Sequence, residues 1–137
     1  MKALLTAPAA VLVALWAPAG AAAADPATMS PPFIDHIEWA QWHGLSSLRV
    51  FPTPSGRLAA RQSGNAALAD EAWAEVLALS PDADTAGMRA QFICHWQFAE
   101  LAEPGKTSWN LEPWRPVVDD TDMVASGCNP GGPEERF

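Results

Sequence analysis

The stretch FIDHIEWAQWHGLSSLRVF, residues 33–51, decides the fold. Ile34, His36, Ile37, Trp39 and Trp42 stand before His43-Gly44, and Leu45 to Phe51 follow it. Aromatic and β-branched residues crowd both halves, and the His-Gly step supplies a turn, so the spacing predicts a β-hairpin. Pro52 and Pro54 stop the second strand, because proline has no N–H to give to a ladder.

Downstream the period changes. Across Ala66 to Leu79, Ala69, Ala72, Trp73, Val76 and Leu77 fall on one helical face, with Asp70, Glu71 and Glu75 off it. Asp70 and Glu71 favour the helix dipole near its start. Asn65 is the expected cap through its side-chain oxygen, and Ser80-Pro81 is the expected end. Ser55 to Gly64 reads as a connector with short helical character. Pro81 to Asp84 is a turn, after which Asp84 or Thr85 caps a shorter helix through Met88 and Arg89.

The next segment carries two periods. Phe92, Cys94, Trp96 and Phe98 alternate as in a strand, while Met88, Phe92 and Trp96 repeat at i, i+4 as in a helix. The reading adopted is a helical turn running into a strand over residues 92–98. Thr107 to Pro116, broken by Pro113, reads as an irregular or edge strand, and Gly127 to Pro133 as a turn-rich tail. The fold class expected is α+β: an N-terminal β-hairpin, one clear amphipathic helix, a shorter helical turn, and one or two further strands.

The N-terminus has the parts of a secretory signal. Lys2 is the only charge before Asp25, Leu4 to Trp16 is largely apolar, and Ala21 to Ala24 are the small residues a signal peptidase takes. Pro8 and Pro18 interrupt the run, which is short for a membrane span. The expected organisation is a signal peptide over residues 1–24, a flexible leader over 25–32 and a single secreted domain over 33–137. No membrane span is expected after signal cleavage.

Charge narrows the partners. The chain has 8 basic and 16 acidic residues, a net charge of −8, and loss of Lys2 with the signal leaves 7 against 16, or −9. That field disfavours nucleic acid at long range and leaves a glycan, peptide or protein as the extracellular ligand class. Cys94 and Cys128 are the only cysteines, and in an oxidising compartment they are expected to pair. No CxxC or His spacing supports a metal, and no P-loop or dinucleotide fingerprint supports a cofactor, so none is expected.

Chemistry concentrates in Lys106 to Pro116. Trp109 and Trp114 can form a platform for a sugar ring or peptide, and Asn110, Glu112 and Arg115 can orient a ligand beside it. The competing reading makes Trp109 and Trp114 core residues and pairs Glu112 with Arg115. A surface site requires at least one of the two Trp residues partly exposed, with Glu112 or Arg115 facing the same side. His95 is the best acid–base candidate, because imidazole titrates near neutrality, although a His beside Phe, Trp and Cys is more often a core residue. The acidic groups Asp82/Asp84 and Asp119/Asp120/Asp122 read as solvated turns.

The segments GMRAQFICHWQFA (87–99), WNLEPWRP (109–116) and CNPGG (128–132), with Pro52-Thr53, Gly56-Arg57 and Ala72 to Val76, carry a resemblance. The chain resembles the domain-of-unknown-function family numbered 2599, a family of secreted, mostly actinobacterial domains, over roughly Phe33 to Glu134. The resemblance implies secretion and a single domain and assigns no catalytic residue. The leading expectation is a non-enzymatic extracellular binding module using the Trp109–Arg115 segment. The rival is a small extracellular hydrolase or effector acting on a cell-wall polymer or nucleic acid, with His95, Lys106, Glu112 and Arg115 as its polar centre. A third class is an envelope component with no discrete site.

Overall fold

The computed structural model describes residues 29–62 and 64–132. The expected signal peptide, residues 1–24, and most of the expected leader, residues 25–32, lie outside the described residues. Of the leader, residues 29–32 are described, and their chain is tied down. The carbonyl of Ser30 accepts from the Ser55 hydroxyl at 2.6 Å, and that of Pro32 from the Thr53 hydroxyl at 2.7 Å.

Strand β1 (Ile34–Trp42) pairs antiparallel with β2 (Leu45–Pro52) across His43-Gly44. His43 and Gly44 both take positive φ, 49° and 77°, the backbone a tight two-residue hairpin turn requires. Strand β3 (Trp109–Leu111) adds antiparallel to the other side of β2, giving the order β1-β2-β3. The register places Ile37 opposite Val50, Leu48 opposite Leu111 and Val50 opposite Trp109, so these apolar side chains share one face.

That face is covered by helices α1 (Pro54–Arg61), α2 (Ala66–Leu79) and α3 (Met88–Ala102). Phe33, Leu48, Val50, Trp73, Val76, Met88, Phe92, Trp96, Trp109 and Leu111 form one buried core. Its centre is aromatic: Phe92 lies with ring centroids 5.4 Å from Trp73, 6.3 Å from Trp96 and 6.1 Å from Trp109. Trp96 lies 5.9 Å from Phe33 and 6.2 Å from Trp109, both near edge-on. Such ring pairs add about 0.5–1.5 kcal/mol each beyond the area they bury.

Two contacts fix the hairpin on the helices. The Glu75 carboxylate on α2 accepts the Phe33 N–H at 2.9 and 3.0 Å, so the helix holds the start of β1. Gly56 in α1 lies against the Phe33 carbonyl, where a Cβ would sit 2.1 Å from the oxygen. Only glycine lets α1 approach that closely.

The hairpin, α2 and the α+β class stand as the sequence predicts. Asn65 does not cap α2 with its oxygen. Its amide nitrogen instead donates to the Ala59 carbonyl at 3.2 Å, closing the α1–α2 connection. No helix is capped at Asp84 or Thr85. A 3-10 turn occupies Pro81–Ala83, and α3 starts at Met88 after Gly87, which adopts φ 84°.

Residues 92–98 are helix, not strand. The alternation there arises because α3 is buried on two sides. Phe92 and Trp96 enter the main core, Cys94 enters a second cluster with Met123 and Cys128, and Phe98 is exposed. Asp119 to Asp122 is also more ordered than a solvated turn. It opens helix α4 (Asp120–Ala125), with the Asp119 side chain accepting from the Asp122 N–H at 2.8 Å. The Cys94–Cys128 disulfide, with Cα atoms 5.6 Å apart, fastens the C-terminal segment to α3.

Candidate functional site

The Trp109–Arg115 segment folds largely inward. Trp109 pairs with Val50 and is fully buried in the core. Asn110, Glu112 and Arg115 are buried as well, and Trp114 is half-buried with its indole N–H on the Ser46 carbonyl at 3.1 Å. Asn110 accepts from the Ser108 hydroxyl at 2.7 Å. Glu112 and Arg115 form an ion pair at 3.2 Å, with side chains 2% and 0% exposed.

Arg115 has a second task. Its guanidinium donates to the Pro130 carbonyl at 3.1 Å and the Gly132 carbonyl at 2.7 Å, and stacks 4.5 Å from the Trp114 ring centre. The charge thus holds the C-terminal tail against β3. Gln91 secures the other side: its amide donates to the Glu112 carbonyl and accepts the Glu112 N–H, each at 2.9 Å. The Asn110, Glu112 and Arg115 side chains find partners within the fold, as buried polar groups must, while the buried Trp109 indole N–H has no hydrogen-bond partner among the described residues. The open two-Trp platform is not formed, since Trp109 presents no surface.

His95 is buried on α3, and its Nδ1 lies 2.8 Å from the Gln91 carbonyl, which makes Nδ1 the protonated nitrogen. His95 lines a 220 Å3 hollow with Lys106, Phe98, Glu103 and Asn129, beside the disulfide. Glu112 and Arg115 do not line that hollow. The structure therefore brings His95 and Lys106 to one place and Glu112 and Arg115 to another.

The charged centre that sequence reasoning missed is Glu100, on α3 with its side chain 1% exposed. Arg57 donates to its Oε1 at 2.6 Å, and Arg61 donates Nε and Nη2 to its Oε2 at 3.1 and 2.8 Å. Arg57 also reaches the Lys106 carbonyl at 2.6 Å, so it ties α1, α3 and the chain entering β3 together. Burial alone would raise the Glu100 carboxyl. The hydrogen bonds from Arg57 and Arg61, the Arg57 charge and the Gly105 N–H together hold it below its ordinary value. Arg57 and Arg61 sit at i, i+4 on α1, the spacing of neighbours on one helix face, which is the only local signal of this centre.

Above this network α1, α2 and α3 leave a groove of about 530 Å3. Ile93, Trp96, Phe98 and Leu101 of α3 line it, with Ala60, Ala66 and Ala69 opposite. Arg61, Asn65, Asp70, Arg89 and Gln97 supply its polar groups. The small alanines of α1 and α2 leave the space, while Leu101 is 69% and Phe98 38% exposed beside it. A half-open groove of this size, mostly apolar with a few polar groups, is the form small-molecule and peptide sites take. Among the described residues no group of three or more His, Cys, Asp or Glu is placed to hold a metal ion. None of the described helices is long and apolar enough to cross a membrane.

The chain is similar to the uncharacterized protein Rv0477 of Mycobacterium tuberculosis (strain ATCC 25618 / H37Rv), 62% identical over the whole of both chains. It is equally similar to the uncharacterized protein Mb0487 of Mycobacterium bovis, again 62% identical over the whole of both. The uncharacterized protein ML2452 of Mycobacterium leprae is 59% identical over 73% of this chain and 80% of its own length. No solved structure matches the chain. The family described as "Protein of unknown function (DUF2599)" matches residues 34–131, from the first residue of β1 to the tail that Arg115 holds, and the chain belongs to that family.

Proposed function

We propose that the protein is a non-enzymatic binding module that works outside the cell or in the cell envelope, and that its contact surface is the groove between α1, α2 and α3. The observation that carries this reading is the groove itself: 530 Å3 of open space with an apolar wall and polar groups beside it. The residues that favoured chemistry are committed elsewhere. Glu112 and Arg115 hold β3 and the tail, and His95 is fixed by Gln91 in a separate, smaller hollow. A hydrolase needs an acid, a base or a nucleophile converging on one concave place, and these groups do not converge. The signal-like N-terminus and the Cys94–Cys128 bond support work in an oxidising compartment.

Titrating the isotope-labelled protein with lipid, glycan and protein fractions of a mycobacterial envelope tests the reading by NMR. Amide shifts from at least one fraction should concentrate on Asn65, Asp70, Arg89, Gln97 and Leu101. Shifts centred on the outer face of the hairpin, or turnover of a polymer that depends on His95, would overturn it.

A further inference from the structure

Residues 117–129 leave the body of the fold and return to it at the same place. At the base, Arg115 donates to the Pro130 carbonyl at 3.1 Å and to the Gly132 carbonyl at 2.7 Å. Gly131 packs on Pro116, where a Cβ would sit 2.8 Å from the proline Cδ. The segment is therefore a loop with its two ends held together, the form of an Ω-loop.

Little holds the loop down on α3. Among the described residues the main core takes no side chain after Leu111. The loop buries only Met123 and Cys128, in a small cluster with Cys94, while Val117 and Val124 are 67% and 50% exposed. Apart from a 3.9 Å contact of Cys94 Sγ with the Met123 carbonyl, its hydrogen bonds stay within residues 117–132. The Cys94–Cys128 bond is its covalent tie to α3. Cys128 is held at φ 68°, a backbone that a residue with a Cβ rarely takes unless its surroundings fix it there.

The same loop walls both smaller hollows. Gly127, Cys128 and Asn129 close the 220 Å3 hollow of His95. Asp120, Met123 and Val124 face Ala90, Cys94 and Gln97 across a second hollow of about 270 Å3. Each half of the cystine thus borders open space, Cys128 on one side and Cys94 on the other.

We propose that residues 117–129 form a redox-gated strap: the Cys94–Cys128 bond latches α4 over α3, and a dithiol releases it while the rest of the domain stays folded. The attacking thiolate bonds to one sulfur of the cystine, and the other leaves as a thiolate and takes a proton. The second thiol of the reagent then resolves the mixed disulfide. Two electrons and two protons reach Cys94 and Cys128, and the dithiol becomes a disulfide. Arg115 keeps the base closed, so the strap swings about Pro116 and Pro130. Its opening removes a wall from both hollows and uncovers the Ala90, Cys94 and His95 side of α3. This device does not depend on what the groove binds.

The experiment compares three states of the mature protein by amide hydrogen exchange in NMR: oxidised, reduced by dithiothreitol without denaturant, and carrying Cys94→Ser with Cys128→Ser. In the oxidised protein the Met123, Ser126 and Cys128 N–H groups, each bonded within the loop, should be protected. In the other two states they should lose that protection and exchange as in an unfolded chain. The β2–β3 ladder and the Glu112 N–H on Gln91 should remain protected throughout. Reoxidation should restore protection of the loop. Loop amides that stay protected after reduction would overturn the strap. Loss of protection across the ladder together with the loop would overturn it as well, since the bond then staples the whole domain. So would a disulfide that dithiothreitol reduces only in denaturant.

Discussion

Replacing Glu100 by glutamine keeps the shape of the side chain and removes its charge. The carboxylate it replaces is 1% exposed and faces two guanidiniums, of which Arg57 is 18% exposed and Arg61 47%. Arg61 can turn to solvent when its partner is lost, and its half-exposed pair contributes little. Arg57 cannot, because it also holds the Lys106 carbonyl at 2.6 Å. Removing one partner of a buried ion pair costs about 3–5 kcal/mol. Glutamine still accepts one hydrogen bond, which places Glu100→Gln near the lower end, about 3 kcal/mol. For a domain of this size that lowers the melting temperature by roughly 12–24 °C. The pH dependence adds a second signature. The folded-state pKa of Glu100 lies below its unfolded value of about 4.3. The stabilisation is therefore complete above that unfolded value and drains away as pH falls through the folded-state pKa. Denaturant unfolding of the native protein and the variant, from neutral pH into the acid range, measures both effects. The gap between the two proteins should be widest at neutral pH and narrow in acid. A variant within about 0.5 kcal/mol of the native protein at neutral pH, with the same acid slope, would refute the reasoning.

Three further substitutions probe the scaffold. Trp73→Ala opens the aromatic core beside Phe92 and should cost about 3–5 kcal/mol in denaturant unfolding. Gly56→Ala brings a Cβ against the Phe33 carbonyl and should destabilise by more than about 1 kcal/mol, where alanine would otherwise favour a helix. Thiol labelling of the denatured, unreduced protein should find no free cysteine, and Cys94→Ser with Cys128→Ser should cost about 3–4 kcal/mol for a loop of this length.

What the sequence shows most clearly is what is local. The hairpin follows from two β-rich runs across a His-Gly turn, and α2 spans Ala66 to Leu79 because one apolar face and a Ser-Pro stop define it. Helix α3 defeats a one-face reading, since it buries Phe92 and Trp96 on one side and Cys94 on another, and the two sets interleave into an apparent strand period. The Glu100 centre joins residues 39 and 43 positions apart, so the i, i+4 spacing of Arg57 and Arg61 marks its cations but not the carboxylate they meet. The segment 109–116 has the composition of a surface site. Its polar groups can be interior only because Gln91 and the carbonyls of Pro130 and Gly132 meet them, and these partners lie far away in the chain. The groove is legible only in hindsight: it is the space left where small residues of α1 and α2 face the Ile93–Leu101 side of α3.

The division between a structural Trp109–Arg115 segment and a binding groove is the central claim, and one paired measurement addresses it directly. Melting temperature and retention on mycobacterial envelope fractions are measured together for Arg115→Ala and Ala66→Phe. Arg115→Ala removes a buried charge that holds Glu112 and the tail, and it should lower the melting temperature sharply. Ala66 is exposed at the start of α2, so Ala66→Phe should leave the melting temperature nearly unchanged while retention is lost. An Arg115→Ala protein that melts as the native one does but no longer binds, beside an Ala66→Phe protein that binds normally, would contradict the account.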